Sequence, residues 1–153
     1  MVLRQGSSRD LGELIEVYRS GYKGMEEYAY TSSRRIRDYI KWLLRGDKEG
    51  FFVVEEEGGK PVGFACIHTG WWDRVESQTG ELHEIVVRRE YQGKGLGKML
   101  LQKCLEYARE KGRDRVTLWV GERNMVARNW YKREGFEEIG RAGVWVRMRK
   151  IIR

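Results

Sequence analysis

The segment Gln92-Gly93-Lys94-Gly95-Leu96-Gly97-Lys98 carries three glycines at alternate positions and two lysines. That spacing lets a backbone turn successive N–H groups toward one point. Apolar residues then recur at Leu96, Leu100, Cys104, Tyr107 and Ala108, which is helical spacing, and Gly112 is placed to end the helix. A helix start adds its unsatisfied donors and the positive end of its dipole to the loop amides. The chemistry that fits is anion binding, and a pyrophosphate suits it well. Two phosphate signatures fail on named positions. A Walker A loop needs Gly-x4-Gly-Lys-Ser/Thr, but Gln92 occupies its first glycine position and Met99 replaces the hydroxyl that would hold magnesium. A dinucleotide fingerprint, Gly-x-Gly-x-x-Gly, meets Lys98 in its last place when started at Gly93 and Leu100 when started at Gly95. From the loop alone, a glycine-rich turn without a ligand stays open.

The elements around the loop follow from periodicity and breakers. Val2–Arg4 reads as a short strand. Ser7, Ser8 and Asp10 offer cap oxygens to a helix through about Tyr18, with Leu11, Leu14, Ile15 and Tyr18 on one face. Thr31, Ser32 and Ser33 precede a second helix with apolar positions Ile36, Tyr39, Ile40, Leu43 and Leu44, stopped at Gly46. Phe51–Glu56 and Pro61–Gly70 read as a hairpin across Glu57-Gly58-Gly59-Lys60. Glu81–Val87 is a strand in which Leu82-x-x-Ile85-x-Val87 breaks strict alternation, the mark of a bulge. Arg115–Val120 is a strand, Met125–Arg133 a helix, and Phe136–Ile139 and Val144–Met148 a last strand pair around Gly140–Gly143. The order β-α-α-β-β-β-α-β-α-β-β predicts one domain over residues 1–153, of the α/β (α+β layered) class, with helices on both faces of a sheet.

With these elements in place, Gln92-x-x-Gly95-x-Gly97 resembles the Arg/Gln-x-x-Gly-x-Gly/Ala motif of the GNAT superfamily of N-acetyltransferases. Asn124-x-x-Ala127-x-x-x-Tyr131-x-x-x-Gly135-Phe136 is similar to that family's later helix and its exit into a strand. The resemblance is strong from Glu81 to Ile139 and weak before Phe51. It implies a mixed, mostly antiparallel sheet of six to seven strands, splayed between the fourth and fifth. It also implies an acetyl-CoA-dependent N-acetyltransferase that moves an acetyl group directly to a primary amine in a ternary complex. The pyrophosphate would lie on Gly93, Lys94, Gly95, Leu96, Gly97 and Lys98, with Gln92 at the head of the motif. The pantetheine arm would run beside Ile85, Val86 and Val87. The Val87 amide would polarise the thioester carbonyl, and Asn124 would hold the arm.

Acetyl transfer needs a base for the arriving ammonium and an acid for the departing thiolate. The resemblance points to Tyr131 as the acid. It points to Glu84 as the base, with Glu81 as the competing carboxylate and His83 as a further alternative. The branches that acetylate protein N-termini often carry a glutamate where this chain has Trp119, which counts against that use. For the acceptor pocket the candidates are Tyr18, Tyr22, Met25, Tyr28, Tyr30, Trp71 and Trp72, with Glu26, Glu27 and Asp73 as attractors of an amine. The resemblance implies an acceptor that is a small molecule or a peptide.

Composition sets the remaining bounds. The 153 residues are 41% hydrophobic and 35% charged, which suits a folded domain. The net charge of +7 comes from 30 basic residues interleaved with 23 acidic ones, and no aromatic–glycine signature or helix-turn-helix accompanies it, so no nucleic-acid partner is expected. No apolar stretch reaches the length of a membrane span and the N-terminus lacks a signal-peptide run, so a cytoplasmic location without membrane contact is expected. Cys66, Cys104 and two histidines fit no ligand spacing, and no metal is expected. A second copy of the chain is the protein partner the reading allows. The competing function is a CoA-binding regulatory module without catalysis.

Overall fold

In the computed structural model, which describes residues 1–153, side-chain oxygens take up early amides at the starts of two helices and of the 3-10 turn that leads into a third. The Ser7 hydroxyl and the Asp10 carboxylate form a reciprocal cap on a 3-10 turn, and α1 (Leu11–Gly21) continues from it. Ser32 accepts the Arg35 amide at 3.2 Å and starts α2 (Ser33–Gly46). Gly95, with φ of +83°, precedes α3 (Leu96–Glu110) in the left-handed region that a side chain would resist. Asn124 accepts the Ala127 amide at 3.3 Å and starts α4 (Met125–Arg133).

Seven strands form one sheet: β1 (Val2–Gln5), β2 (Phe51–Glu55), β3 (Pro61–Asp73), β4 (Ser77–Val87), β5 (Arg115–Gly121), β6 (Glu137–Ala142) and β7 (Trp145–Ile151). Their order across the sheet is β1-β2-β3-β4-β5-β7-β6. Every neighbouring pair is antiparallel except β4–β5. One core lies between the sheet and α3, built on Leu100, Leu101, Cys104 and Ala108 against Ala65, Ile67, Leu118 and Met148. The other lies under α1 and α2, built on Leu14, Ile36, Ile40 and Leu43 against Phe51, Phe64 and Val86. Each fully buried Leu, Ile, Val, Phe or Met side chain among them contributes about 1.5–3 kcal/mol of transfer free energy. The expected layered fold, with helices on both faces, is present. No helix is long and apolar enough to cross a membrane.

The strand boundaries of two hairpins differ from the sequence reading. β3 does not stop at Gly70 but runs to Asp73, and β4 starts at Ser77 rather than Glu81. Gly70 falls at a register shift between His68 and Trp71, so it marks an irregularity inside the strand and not its end. Asp73 accepts the amides of Val75 and Glu76, both at 2.8 Å, and so builds the turn that joins the lengthened strands. Likewise β6 runs on from Ile139 to Ala142, and β7 spans Trp145–Ile151 rather than Val144–Met148, with Gly143 supplying the positive φ, +58°, of their turn.

The two remaining features of the sheet position the site. β4 and β5 pair only at Gly80–Val116 and Glu81–Thr117, then diverge, which is the expected splay. In β4, Leu82 faces Ile67 and Glu84 faces Cys66, so His83 is an extra residue without a partner on β3. That is the expected bulge. Beyond it Ile85 and Val87 pack with Leu82 on the α3 side, while Val86 enters the core under α1 and α2.

Candidate active site

The splay leaves a strand edge without a strand partner. The Arg88 amide donates to the Val62 carbonyl at 2.8 Å, which fixes the phase of the β3–β4 ladder. Antiparallel pairs alternate between bonded and non-bonded. Val86 and Glu84 therefore bond toward β3, and the backbone groups of Ile85 and Val87 point toward the gap. The Val87 carbonyl is taken by Gln92, whose Nε2 donates to it at 3.0 Å. Gln92 thus ties the glycine loop to the end of β4, a positioning role that the motif alone does not reveal.

The loop itself has the geometry of an anion cradle. Gly93 and Gly95 have φ of +77° and +83°. The first backbone bond of α3 is donated by Met99 to the Gly95 carbonyl, so the amides of Gly93, Lys94, Gly95, Leu96, Gly97 and Lys98 have no intrahelical acceptor. The space in front of Gly93 and Gly95 is open, since an added Cβ at either meets nothing within 4 Å. The Lys94 ammonium lies 5.2 Å from the Tyr91 ring, and Lys98 is 3.9 Å from Glu134 at the surface. Unpaired amides beside an unpaired strand edge fit a pyrophosphate joined to an extended amide-bearing arm.

On the far side of the gap, Glu84 sits at the bulge with 8% of its surface exposed. Tyr22, at the end of α1, donates to Oε1 at 2.6 Å, and Tyr39 of α2 donates to Oε2 at 2.6 Å. Burial pushes the Glu84 carboxyl up to about 7, and the two phenol hydrogen bonds hold it from rising further. It is poised to change protonation near neutrality.

Glu81 is placed differently. Its Oε1 accepts the Thr117 hydroxyl at 2.6 Å and its Oε2 accepts Arg147 Nη1 at 2.7 Å. Arg147 also donates to Asp73 at 2.6 Å, and the Trp119 ring covers its guanidinium at 4.8 Å. Burial pushes the Glu81 carboxyl up while Arg147 pulls it back. This carboxylate is occupied by a buried ion pair. His83 packs between His68, Trp42 and Trp71, with ring centroids 4.3, 5.0 and 4.8 Å away. Burial pulls its imidazole down to about 3, and its Nε2 is enclosed without a partner.

Tyr131 of α4 packs against Trp130 and Phe136, at 5.1 and 5.5 Å between ring centroids. Burial first, then the nearby Glu84 and Cys104, push its phenol well above the ordinary range, so it keeps its proton. Asn124 uses its carbonyl oxygen as the α4 cap.

A cavity of about 490 Å³ opens over Glu84. Tyr18, Tyr22, Tyr28 and Tyr30 line it as expected, and so does Glu27. Met25, Trp71 and Trp72 do not line it; Trp72 stands 70% exposed on the hairpin. Neither Glu26, which accepts the Gly24 amide, nor Asp73, which holds Arg147, lines the cavity. The sequence reading missed Tyr39, Trp119 and Trp145 as cavity walls. Tyr39 was visible only as one apolar position among five on a helix face. Trp119 drew notice for the glutamate it replaces and not for its ring.

The chain is similar to known proteins in sequence and fold. The model of the acetyltransferase (GNAT) family matches residues 12–136. The chain is 41% identical over 151 residues to an uncharacterized N-acetyltransferase of Methanocaldococcus jannaschii, covering 98% of this chain and 66% of that protein. It thus spans about two thirds of that relative's length. It is 42% identical over 132 residues to an uncharacterized N-acetyltransferase of Archaeoglobus fulgidus, covering 86% of this chain and 89% of that one. A solved structure from Pyrococcus horikoshii is similar with a TM-score of 0.88 at 40% identity, covering 98% and 97% of the two chains. The PaiA N-acetyltransferase of Thermoplasma acidophilum, solved with coenzyme A, shares the fold at a TM-score of 0.78 and 24% identity, covering 98% of each chain.

Proposed function

The chain belongs to the GNAT family of acetyl-CoA-dependent N-acetyltransferases, and on that premise we propose that it acetylates a primary amine held in the aromatic cavity over Glu84. The observation that carries this reading is the Glu84 carboxylate, buried at the β4 bulge and gripped by Tyr22 and Tyr39 at 2.6 Å each. A carboxylate tuned to about 7 is matched to taking a proton at neutral pH.

The amides of Gly93 to Lys98 hold the pyrophosphate of the donor, and the free edge at Ile85 and Val87 pairs with its arm. Asn124, at the start of α4, flanks the arm with its amide NH₂. Acetyl-CoA, when bound, supplies the acetyl group as a thioester, whose carbonyl carbon accepts an amine and whose sulfur leaves as a thiolate. Glu84 takes one proton from the incoming ammonium, directly or through a water, and frees the nitrogen lone pair. The Val87 N–H donates to the carbonyl oxygen as negative charge develops there. As the C–N bond forms, the nitrogen sheds its second proton to solvent. The Tyr131 hydroxyl gives its proton to the leaving sulfur and recovers one from solvent, and Glu84 returns the proton it took to solvent. Across the transfer a C–N bond forms, a C–S bond breaks, and one proton passes to solvent. Burial pushes both Cys66 and Cys104 thiols up, which supports direct transfer over a cysteine-bound acyl intermediate.

The test compares Glu84→Gln with Glu81→Gln. Both should bind CoA in titration calorimetry. Thiol release over an amine panel should fall about 10²–10⁴-fold in Glu84→Gln, the usual range for a general base. A Glu84→Gln protein with full turnover sinks the base. A wild-type protein that binds CoA and turns over no amine is instead a regulatory module.

A further inference from the structure

The acceptor cavity has an unusual balance of charge. Its walls are phenol and indole rings, and no lysine or arginine lines it. Of its three carboxylates, Glu81 is neutralised by Arg147 and Glu84 is held by two tyrosines. Glu27 alone makes no ion pair and no hydrogen bond; it stands exposed at the rim, on the 3-10 turn Glu26–Tyr28. The only uncommitted formal charge of the cavity is therefore negative.

The rings near Glu27 are fixed. Tyr28 accepts the Arg123 amide at 2.9 Å and packs on Trp145, with ring centroids 5.4 Å apart. Tyr18 accepts the Tyr30 amide at 3.1 Å, and Tyr30 packs on Tyr39 at 5.1 Å. Preset aromatic faces beside a free carboxylate attract a cation without reorganisation. A substrate carboxylate, by contrast, would enter a space with no cation to pair it, and burying an unpaired charge is costly. The chain as a whole carries +7, so this acidic, aromatic mouth is local and opposes the net charge.

We infer that the acceptor is an alkyl di- or polyamine, with its reacting amine at Glu84 and a second ammonium between the Tyr28–Trp145 wall and Glu27. The inference rests on the transferase reading of this cavity and deepens it. Acetylation converts the reacting amine to a neutral amide and leaves the second cation at the rim, where solvent can take the product away.

The full chain is assayed by thiol release with 1,4-diaminobutane, spermidine, butylamine, free lysine and short peptides with a free N-terminus. The diamines should exceed butylamine in kcat/KM by roughly tenfold, the combined scale of an exposed ion pair and a cation–π contact. Lysine should be the poorer substrate despite its second amine, because of its carboxylate. Glu27→Gln should lower the diamine-to-butylamine ratio roughly fivefold, and added salt should shrink the same ratio. Calorimetry on the CoA complex gives a readout apart from turnover: diamine affinity should weaken in Glu27→Gln by a similar factor. Preference for peptides or lysine, or a ratio unmoved by Glu27→Gln, overturns the polyamine assignment and leaves the transferase standing. CoA binding with no turnover of any amine sinks the transferase reading itself.

Discussion

Tyr39→Phe tests how Glu84 is tuned. The substitution removes one hydroxyl and keeps the ring, which packs among Tyr18, Tyr30 and Trp42 at 5.1 to 6.3 Å between centroids. The lost contact is a 2.6 Å hydrogen bond to Glu84 Oε2. A hydrogen bond to a charged group is worth about 1.5–3 kcal/mol, and a cavity water replaces part of it. The net loss of about 1.4 kcal/mol corresponds to about one pKa unit. The bond favours the carboxylate, so its loss raises the Glu84 pKa from about 7 toward about 8. As the proposed base, Glu84 works ionised. The acid limb of kcat/KM should therefore move up by about one unit, with the rate near pH 6 falling about tenfold and the rate above pH 9 nearly kept. The assay is thiol release from pH 5.5 to 9.5, read as the ratio of variant to wild type, so that the amine's own ionisation cancels. Tyr22→Phe should act in the same direction through Oε1, and the double variant should shift further. A limb that stays in place, moves to lower pH, or a loss equal at every pH refutes the clamp.

Three further outcomes follow from the same geometry. Glu84 titrates near 7 in the fold against an ordinary 4.5, so the native state binds more protons between those values and its stability falls as pH rises through them. Urea unfolding should thus show Glu84→Gln gaining up to about 3 kcal/mol relative to wild type at pH 8 over its standing at pH 4.5, and an equal difference at both pH values contradicts this. Glu81→Gln should cost about 3 kcal/mol, because it leaves Arg147 buried with Asp73 alone, yet leave the acid limb where it was; a shifted limb would make Glu81 the base. Tyr131→Phe should lower kcat about 10²-fold with CoA affinity kept, and unchanged turnover removes its role as acid.

The glycine loop and the β4 bulge were legible because they are local. The glycines that need positive φ, the helix that follows, and the Leu82-x-x-Ile85 spacing that announces the bulge all lie within one stretch of chain. The choice between Glu81 and Glu84 was not legible. Each residue's character comes from partners far away in sequence: Thr117 and Arg147 for one, Tyr22 and Tyr39 for the other. Nothing in the strand pattern distinguishes a carboxylate that meets a guanidinium from one that meets two phenols. The cavity walls were half legible for the same reason. Tyr18, Tyr22, Tyr28 and Tyr30 sit close together in the chain, whereas Trp119 and Trp145 arrive from β5 and β7. Trp71 and Trp72 misled because Gly70 looked like the end of a strand that in fact continues to Asp73.

The bulge at His83 explains why two glutamates three residues apart could compete for one role. In an unbroken strand, side chains alternate, so positions 81 and 84 would face opposite sides of the sheet. The extra residue resets the phase. Glu81 lies opposite His68, which bonds the α2 carbonyl of Leu43, and Glu84 lies opposite Cys66, in the core under α1 and α2. Both carboxylates therefore reach the α1–α2 side, and Leu82 and Ile85 both reach the α3 side. Two acids so close on one face would raise each other's cost of ionisation. Arg147 removes that conflict by neutralising Glu81, reaching from β7 across the base of the splay, and Trp119 covers it. The ion pair stands where β4 and β5 last touch, and the free strand edge begins just beyond it. One carboxylate thus serves the junction, and the bulge leaves the other to the phenols and the cavity.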